Sequence, residues 1–203
     1  MFYKLYLYYK INKNINVFIM PVVFLFVNIT VLLTAKQLED TNFGVAFFIF
    51  GLIMFASVFT RILTTEFSAG YWEIMSSYPE KKIYIFLFKY LLALLFCLIP
   101  MISCFMLSFV IRGGNYKGEH SLFLFAVSTF IDCLFIGNVT SFISLLIRNY
   151  ELSLIASLIV VLILLRINIS ILLSMTLFSL LALLFLILSI KIYTQGDKII
   201  NEN

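Results

Sequence analysis

Six long apolar runs, separated by short polar stretches, decide what this chain can fold into. They lie at about 15–35, 44–63, 83–111, 121–147, 150–165 and 168–190 of 203 residues. A hydrocarbon core about 30 Å thick is crossed by a helix of about 20 apolar residues. Only 12% of the residues are charged and 63% are hydrophobic, whereas a soluble domain is roughly one quarter charged. The mean hydropathy of +1.11 agrees. The runs are continuous, whereas a barrel strand would alternate apolar and polar over about ten residues. The expected fold is therefore all-α: one polytopic membrane domain over 1–203, with six transmembrane helices.

Two runs need comment. Lys4, Lys10 and Lys13 precede the first, as in a secretory leader. Its apolar stretch is too long for a leader, however, and Leu33-Thr34-Ala35 makes a poor cleavage site, so a retained span is expected. In the fifth, Leu152 to Leu165 would reach only about 21 Å. Either Arg148 to Glu151 lie in the headgroup zone, or runs five and six form a partly re-entrant pair hinged near Arg166. Cys97, Cys104 and Cys133 all fall inside apolar runs and read as packing residues, not as a disulfide framework.

Basic residues set the expected orientation. With both termini cytoplasmic, Lys4, Lys10, Lys13, Arg61, Lys81, Lys82, Lys89, Arg148, Lys191 and Lys198 lie inside, and Lys36, Arg112, Lys117 and Arg166 outside. That asymmetry favours an N-in, C-in arrangement. All outer loops are then short, and 191–203 is a cytoplasmic tail. The arm over 1–14 mixes Phe2, Tyr3, Tyr6, Tyr8 and Tyr9 with three lysines. Tyrosine suits the headgroup level and lysine an anionic surface, so an interfacial helix on inner-leaflet lipid is expected. The two halves of the chain show no internal repeat.

Several chemistries have no residues to perform them. The chain has no G-x-x-x-x-G-K-[ST] motif and so no P-loop. His120 is the one histidine, too few for a zinc centre, and its place in an expected outer loop leaves no imidazole inside the membrane to serve as the base of an intramembrane serine protease. No catalytic residue, directly bound cofactor, metal site or nucleic-acid partner is expected. Inside the apolar runs, Asp132 stands out, because a carboxylate at mid-span costs about 2.5–3.5 kcal/mol on insertion scales. It reads either as a polar lining of a transport path or partner to Lys89 or Arg166, or as a carboxyl hydrogen-bonded near Asn138, Thr140 or Ser141. Pro100 lies mid-run and is expected to kink the third helix.

The most polar internal stretch runs from Arg61 to Lys89. Within it Glu66 to Ser77 reads as a short helix. Tyr78-Pro79 stops it, since the residue before proline avoids helix, and Pro79 suits an early position of the next one. Trp72, Met75 and Ser76 share one face. A short polar helix of this kind suits either a groove on a soluble partner or the bilayer surface.

The run Glu66-x3-Gly70-x2-Glu73, followed by Ser76, Ser77 and Pro79, with Lys89 in the next span, resembles the permease subunits of type-2 ATP-binding-cassette (ABC) exporters. The resemblance implies that 64–79 is a cytoplasmic coupling helix docking a separate P-loop ATPase through Glu66, Gly70, Trp72, Glu73, Met75 and Pro79. Trp72 stands where the family more often has a small or acidic residue, and the segment between runs five and six lacks the longer re-entrant helices of relatives. The resemblance further implies ATP and Mg bound by the ATPase partner, and a second permease, identical or paralogous, completing a dimer. The location it implies is a bacterial cell membrane. The expected cargo is hydrophobic or amphipathic, an antimicrobial or toxin-like peptide being favoured over lipid or drug. Two rival readings are the substrate-binding membrane subunit of an energy-coupling vitamin importer, and a non-transporting membrane sensor or assembly factor. The first lacks its small-residue docking stripe in INVFIMPVVFLFVNITVLLTA.

Overall fold

The computed structural model describes residues 16–34, 41–68, 82–112, 122–166 and 171–200, with side chains described over 18–34, 44–64, 82–110, 126–163 and 175–194. The described residues form six helices: α1 (Asn16–Thr34), α2 (Thr41–Ser68), α3 (Lys82–Arg112), α4 (Leu122–Ile147), α5 (Tyr150–Arg166) and α6 (Ile171–Ile200). Away from water, a helix satisfies its own backbone donors and acceptors along its length, which is why apolar runs of this size take that form. Four of the helices are long and apolar enough to cross a membrane, over Gly44–Thr64, Lys82–Val110, Ala126–Ile147 and Met175–Thr194. Phe18–Thr34 and Tyr150–Ile163 are shorter apolar helices. The interfacial arm over 1–14 lies outside the described residues.

α2 and α4 form the centre of the bundle. α2 packs against α1, α3, α4 and α5, while α4 also packs against α5 and α6. Burial separates inner from outer helices: 61% of the α2 window and 56% of the α4 window are buried, against 33% for α3 and 17% for α6. The α2–α4 contact is built on a missing side chain. A Cβ on Gly137 would lie 3.1 Å from the Phe59 ring and 3.2 Å from the Phe55 ring. Those two rings are fully buried and stack 5.8 Å apart. Between α4 and α6, Phe135 stacks on Phe178 at 5.0 Å, and Phe142 meets Phe185 edge-on at 5.4 Å.

The outward surface is apolar as well. Phe26 is 72% exposed, Val110 77% and Leu180 67%. A continuous apolar exterior of this kind is a liability in water and a match for lipid.

Local chemistry explains the ends. Arg148 takes a left-handed conformation (φ 57°) and its N–H donates to the Ser144 carbonyl at 2.9 Å, a C-terminal cap usually given to glycine. The next residue starts α5: the Asn149 side-chain oxygen accepts from the Glu151 and Leu152 N–H groups at 3.0 and 3.2 Å, as an N-cap does. α4 and α5 are thus joined by two residues and pack against each other. α3 is helical without interruption through the buried Pro100. The segment expected as a tail continues α6 to Ile200, because Lys191 to Gln195 contains no residue that stops a helix.

Gly137→Leu should separate α2 from α4. Overpacking typically costs about 1–3 kcal/mol, and thermal unfolding in detergent should show a lowered midpoint. An unchanged midpoint would mean that this contact does not set the helix spacing.

Candidate functional site

A polar group buried in an apolar bundle is costly unless paired, so the polar interior is where function is best sought. One buried tie joins three helices. The Tyr90 hydroxyl of α3 donates to the Asn138 Oδ1 of α4 at 2.6 Å, and Asn138 Nδ2 donates to the Ala182 carbonyl of α6 at 2.9 Å. The orientation of the amide is fixed by this pair, because a carbonyl can only accept. Aromatic rings close round it: Phe59 of α2 meets Tyr90 edge-on at 5.4 Å, and Phe86 lies 6.1 Å from Tyr90 and 5.3 Å from Tyr193.

Lys89 enters the same cluster. It is fully buried, and its Nζ lies 5.7 Å from the Tyr193 ring centroid. At 1.5 Å per residue, its backbone is about 10 Å along α3 from Lys82. Its charge therefore faces the ring of α6 as a cation–π partner. A second such contact lies between α2 and α5, where the Arg61 guanidinium sits 4.6 Å from the Tyr150 ring.

Asp132 belongs to neither group. Its Oδ1 is buried with no hydrogen-bond partner in the structure. Its neighbour Cys133 places it at the level of Gly51, whose added Cβ would lie 3.2 Å from Cys133 Sγ. Tyr90, the chain neighbour of Lys89, bonds Asn138, and six residues of α4 separate Asn138 from Asp132, about 9 Å. Of the polar neighbours expected on its own helix, Asn138 bonds Tyr90 and Ala182, and the Ser141 hydroxyl donates to the Gly137 carbonyl at 2.8 Å. Thr140 does not serve it either. Arg166 is the last residue of α5.

The expected docking residues divide in two. Glu66 lies on the last turn of α2, which continues without a break to Ser68; no glycine or proline interrupts it before Gly70. Gly70, Trp72, Glu73, Met75 and Pro79 lie outside the described residues. Residues 69–81 connect the end of α2 to the start of α3, and the Phe59–Tyr90 contact shows these two helices packed together near that connection. Among the described residues no group of three or more His, Cys, Asp or Glu is placed to hold a metal. Sequence reading singled out Lys89 and Asp132 but missed Tyr90 as the partner of Asn138. The available signal was a lone amide in an otherwise apolar run, which in hydrocarbon requires a partner.

A double-mutant cycle with Tyr90→Phe and Asn138→Leu should give a coupling of about 0.6 kcal/mol, up to about 1.7, as interhelical bonds in membranes do. Strictly additive unfolding free energies would refute the tie. Asp132→Asn should raise thermal stability, because it removes a charge that no described partner compensates. A drop in stability would show the carboxylate to be paired.

No protein-family model matches the chain, no curated protein is similar to it, and no solved structure matches its fold.

Proposed function

We propose that this chain is the permease subunit of an ABC exporter, anchored in a bacterial cell membrane by six spans with both termini inside. The observation that carries the reading is the run Glu66-x3-Gly70-x2-Glu73 with Ser76, Ser77 and Pro79, set between the second and third helices. A chain with no P-loop needs an external source of work. A polar segment of this kind between two apolar helices is the natural place for an ATPase to grip. ATP and Mg then bind the partner, and closure of the ATPases rocks the helices between inward- and outward-open states. A second permease, identical or paralogous, completes the transporter.

The interior supports a moving bundle more than a rigid anchor. Lys89, Asp132 and Asn138 are costly inside hydrocarbon, and such residues mark transport paths by default. The cargo best matched to an interior of phenylalanine, leucine and isoleucine with few charges is an amphipathic peptide. Lipid or drug extrusion uses the same machinery.

The test is capture of an ATPase. The full-length tagged chain, isolated from its native membrane in mild detergent, should retain a P-loop ATPase subunit. Glu73→Lys should weaken retention at least about tenfold, or 1.4 kcal/mol, while leaving membrane insertion unchanged. Retention at the unsubstituted level would remove the docking assignment.

A further inference from the structure

Where α2, α4 and α5 meet, the bundle is rich in hydroxyls. Each of these helices packs against the other two. Three contacts fix their register. Gly137 of α4 lies against Phe55 and Phe59 of α2. The Arg61 guanidinium of α2 covers the Tyr150 ring at the start of α5. The two-residue joint at Arg148 and Asn149 holds the start of α5 at the end of α4, and the two helices pack together. Ser57 lies one turn before Arg61 on α2, Ser144 one turn before Arg148 on α4 with Thr140 a turn earlier, and Ser153 one turn after Asn149 on α5, so all four lie within about two turns of the joint or of the residue that packs on it.

All four are nine-tenths buried or more: Ser57 is 4% exposed, Thr140 1%, and Ser144 and Ser153 0%. None of their hydroxyl oxygens has a hydrogen-bond partner. Neighbouring hydroxyls on the same three helices behave differently. Thr60, Thr64, Ser141 and Ser157 each donate to a carbonyl four residues earlier at 2.7 or 2.8 Å. Small residues alone would explain close approach of the helices, and alanine would serve as well. Buried hydroxyls left unpartnered on three helices that pack together cost free energy that alanine would not.

α5 is the helix best placed to relieve it. Its main contacts are with α2 and α4, and its other side, including Leu152, Ile155, Ile159 and Leu162, is exposed. It is tied to α4 through Arg148, whose left-handed backbone is strained for a residue with a side chain.

We propose that the seam between α5 and the α2–α4 pair is a crevice that opens and takes up water, with the hydroxyls of Ser57, Thr140, Ser144 and Ser153 as its hydration site. Water supplies the partners that the closed seam withholds. The pivot is the joint at Arg148 and Asn149. The crevice is independent of which motor drives the chain, so its test and the ATPase capture fail separately.

The test is thiol labelling of the full-length chain in permeabilised membrane vesicles. Ser57→Cys, Ser144→Cys and Ser153→Cys change little in volume, and each is exposed to a charged, water-soluble methanethiosulfonate. The reagent attacks the thiolate, which forms only where water reaches it, so the seam cysteines should react at least about tenfold faster than Leu162→Cys on the outer face of α5. The unsubstituted chain, with Cys97, Cys104 and Cys133 all buried, gives the background. Seam cysteines as slow as Leu162→Cys would overturn the proposal, leaving a dry interface whose hydroxyls turn to their own helices. A second measurement guards against an effect of the new cysteine itself. Ser144→Ala with Ser153→Ala removes the gain from hydration and should slow labelling of Ser57→Cys at least about threefold, through a smaller open population. An unchanged rate in that background would also overturn the proposal.

Discussion

The absent side chain at Gly137 lets α4 come close enough to α2 for two phenylalanine rings to lie against its backbone. In hydrocarbon, helices gain nothing from hiding apolar surface, because lipid tails are equally apolar. Association then depends on how closely backbones approach and on which polar groups meet. With Phe55 and Phe59 seated on Gly137, α4 is held at the depth where Asn138 reaches Tyr90 on one side and the Ala182 carbonyl on the other. The α6 contacts of Phe135 and Phe142 follow from the same placement.

Polar side chains inside this bundle fall into distinct kinds. Thr60, Thr64, Ser141 and Ser157 return their hydroxyls to their own helices, which satisfies them without involving a neighbour. Tyr90 and Asn138 bond across helices and so specify which helices pair and in what register. Lys89 and Arg61 lie against aromatic faces, those of Tyr193 and Tyr150. A bundle with interhelical ties on one side and unpaired hydroxyls on another is not uniformly firm.

Helix positions were readable from the sequence because apolar continuity is a strong signal: the run at 121–147 became Leu122–Ile147, and that at 83–111 became Lys82–Arg112. Shortness of the fifth run was readable too, for the same reason. Pairing of polar residues was not. Asp132 and Lys89 carry opposite charges and were natural partners on paper, but which residues face one another depends on rotation and depth of whole helices. Those were set here by Gly137 and by the Tyr90–Asn138 bond, neither of which apolar periodicity marks. Helix continues past the apolar run that ends at 190 and reaches Ile200, since nothing before Gly196 forbids it. The segment holding Gly70 to Pro79 rests on its sequence pattern.

The length of α3 has a consequence for the surrounding lipid. Its apolar stretch over Lys82–Val110 holds 29 residues, about 43 Å of helix at 1.5 Å per residue. A hydrocarbon core about 30 Å thick is shorter than that, so α3 meets lipid either by tilting or by thickening the bilayer beside it, at a fraction of a kcal/mol for each ångström of mismatch.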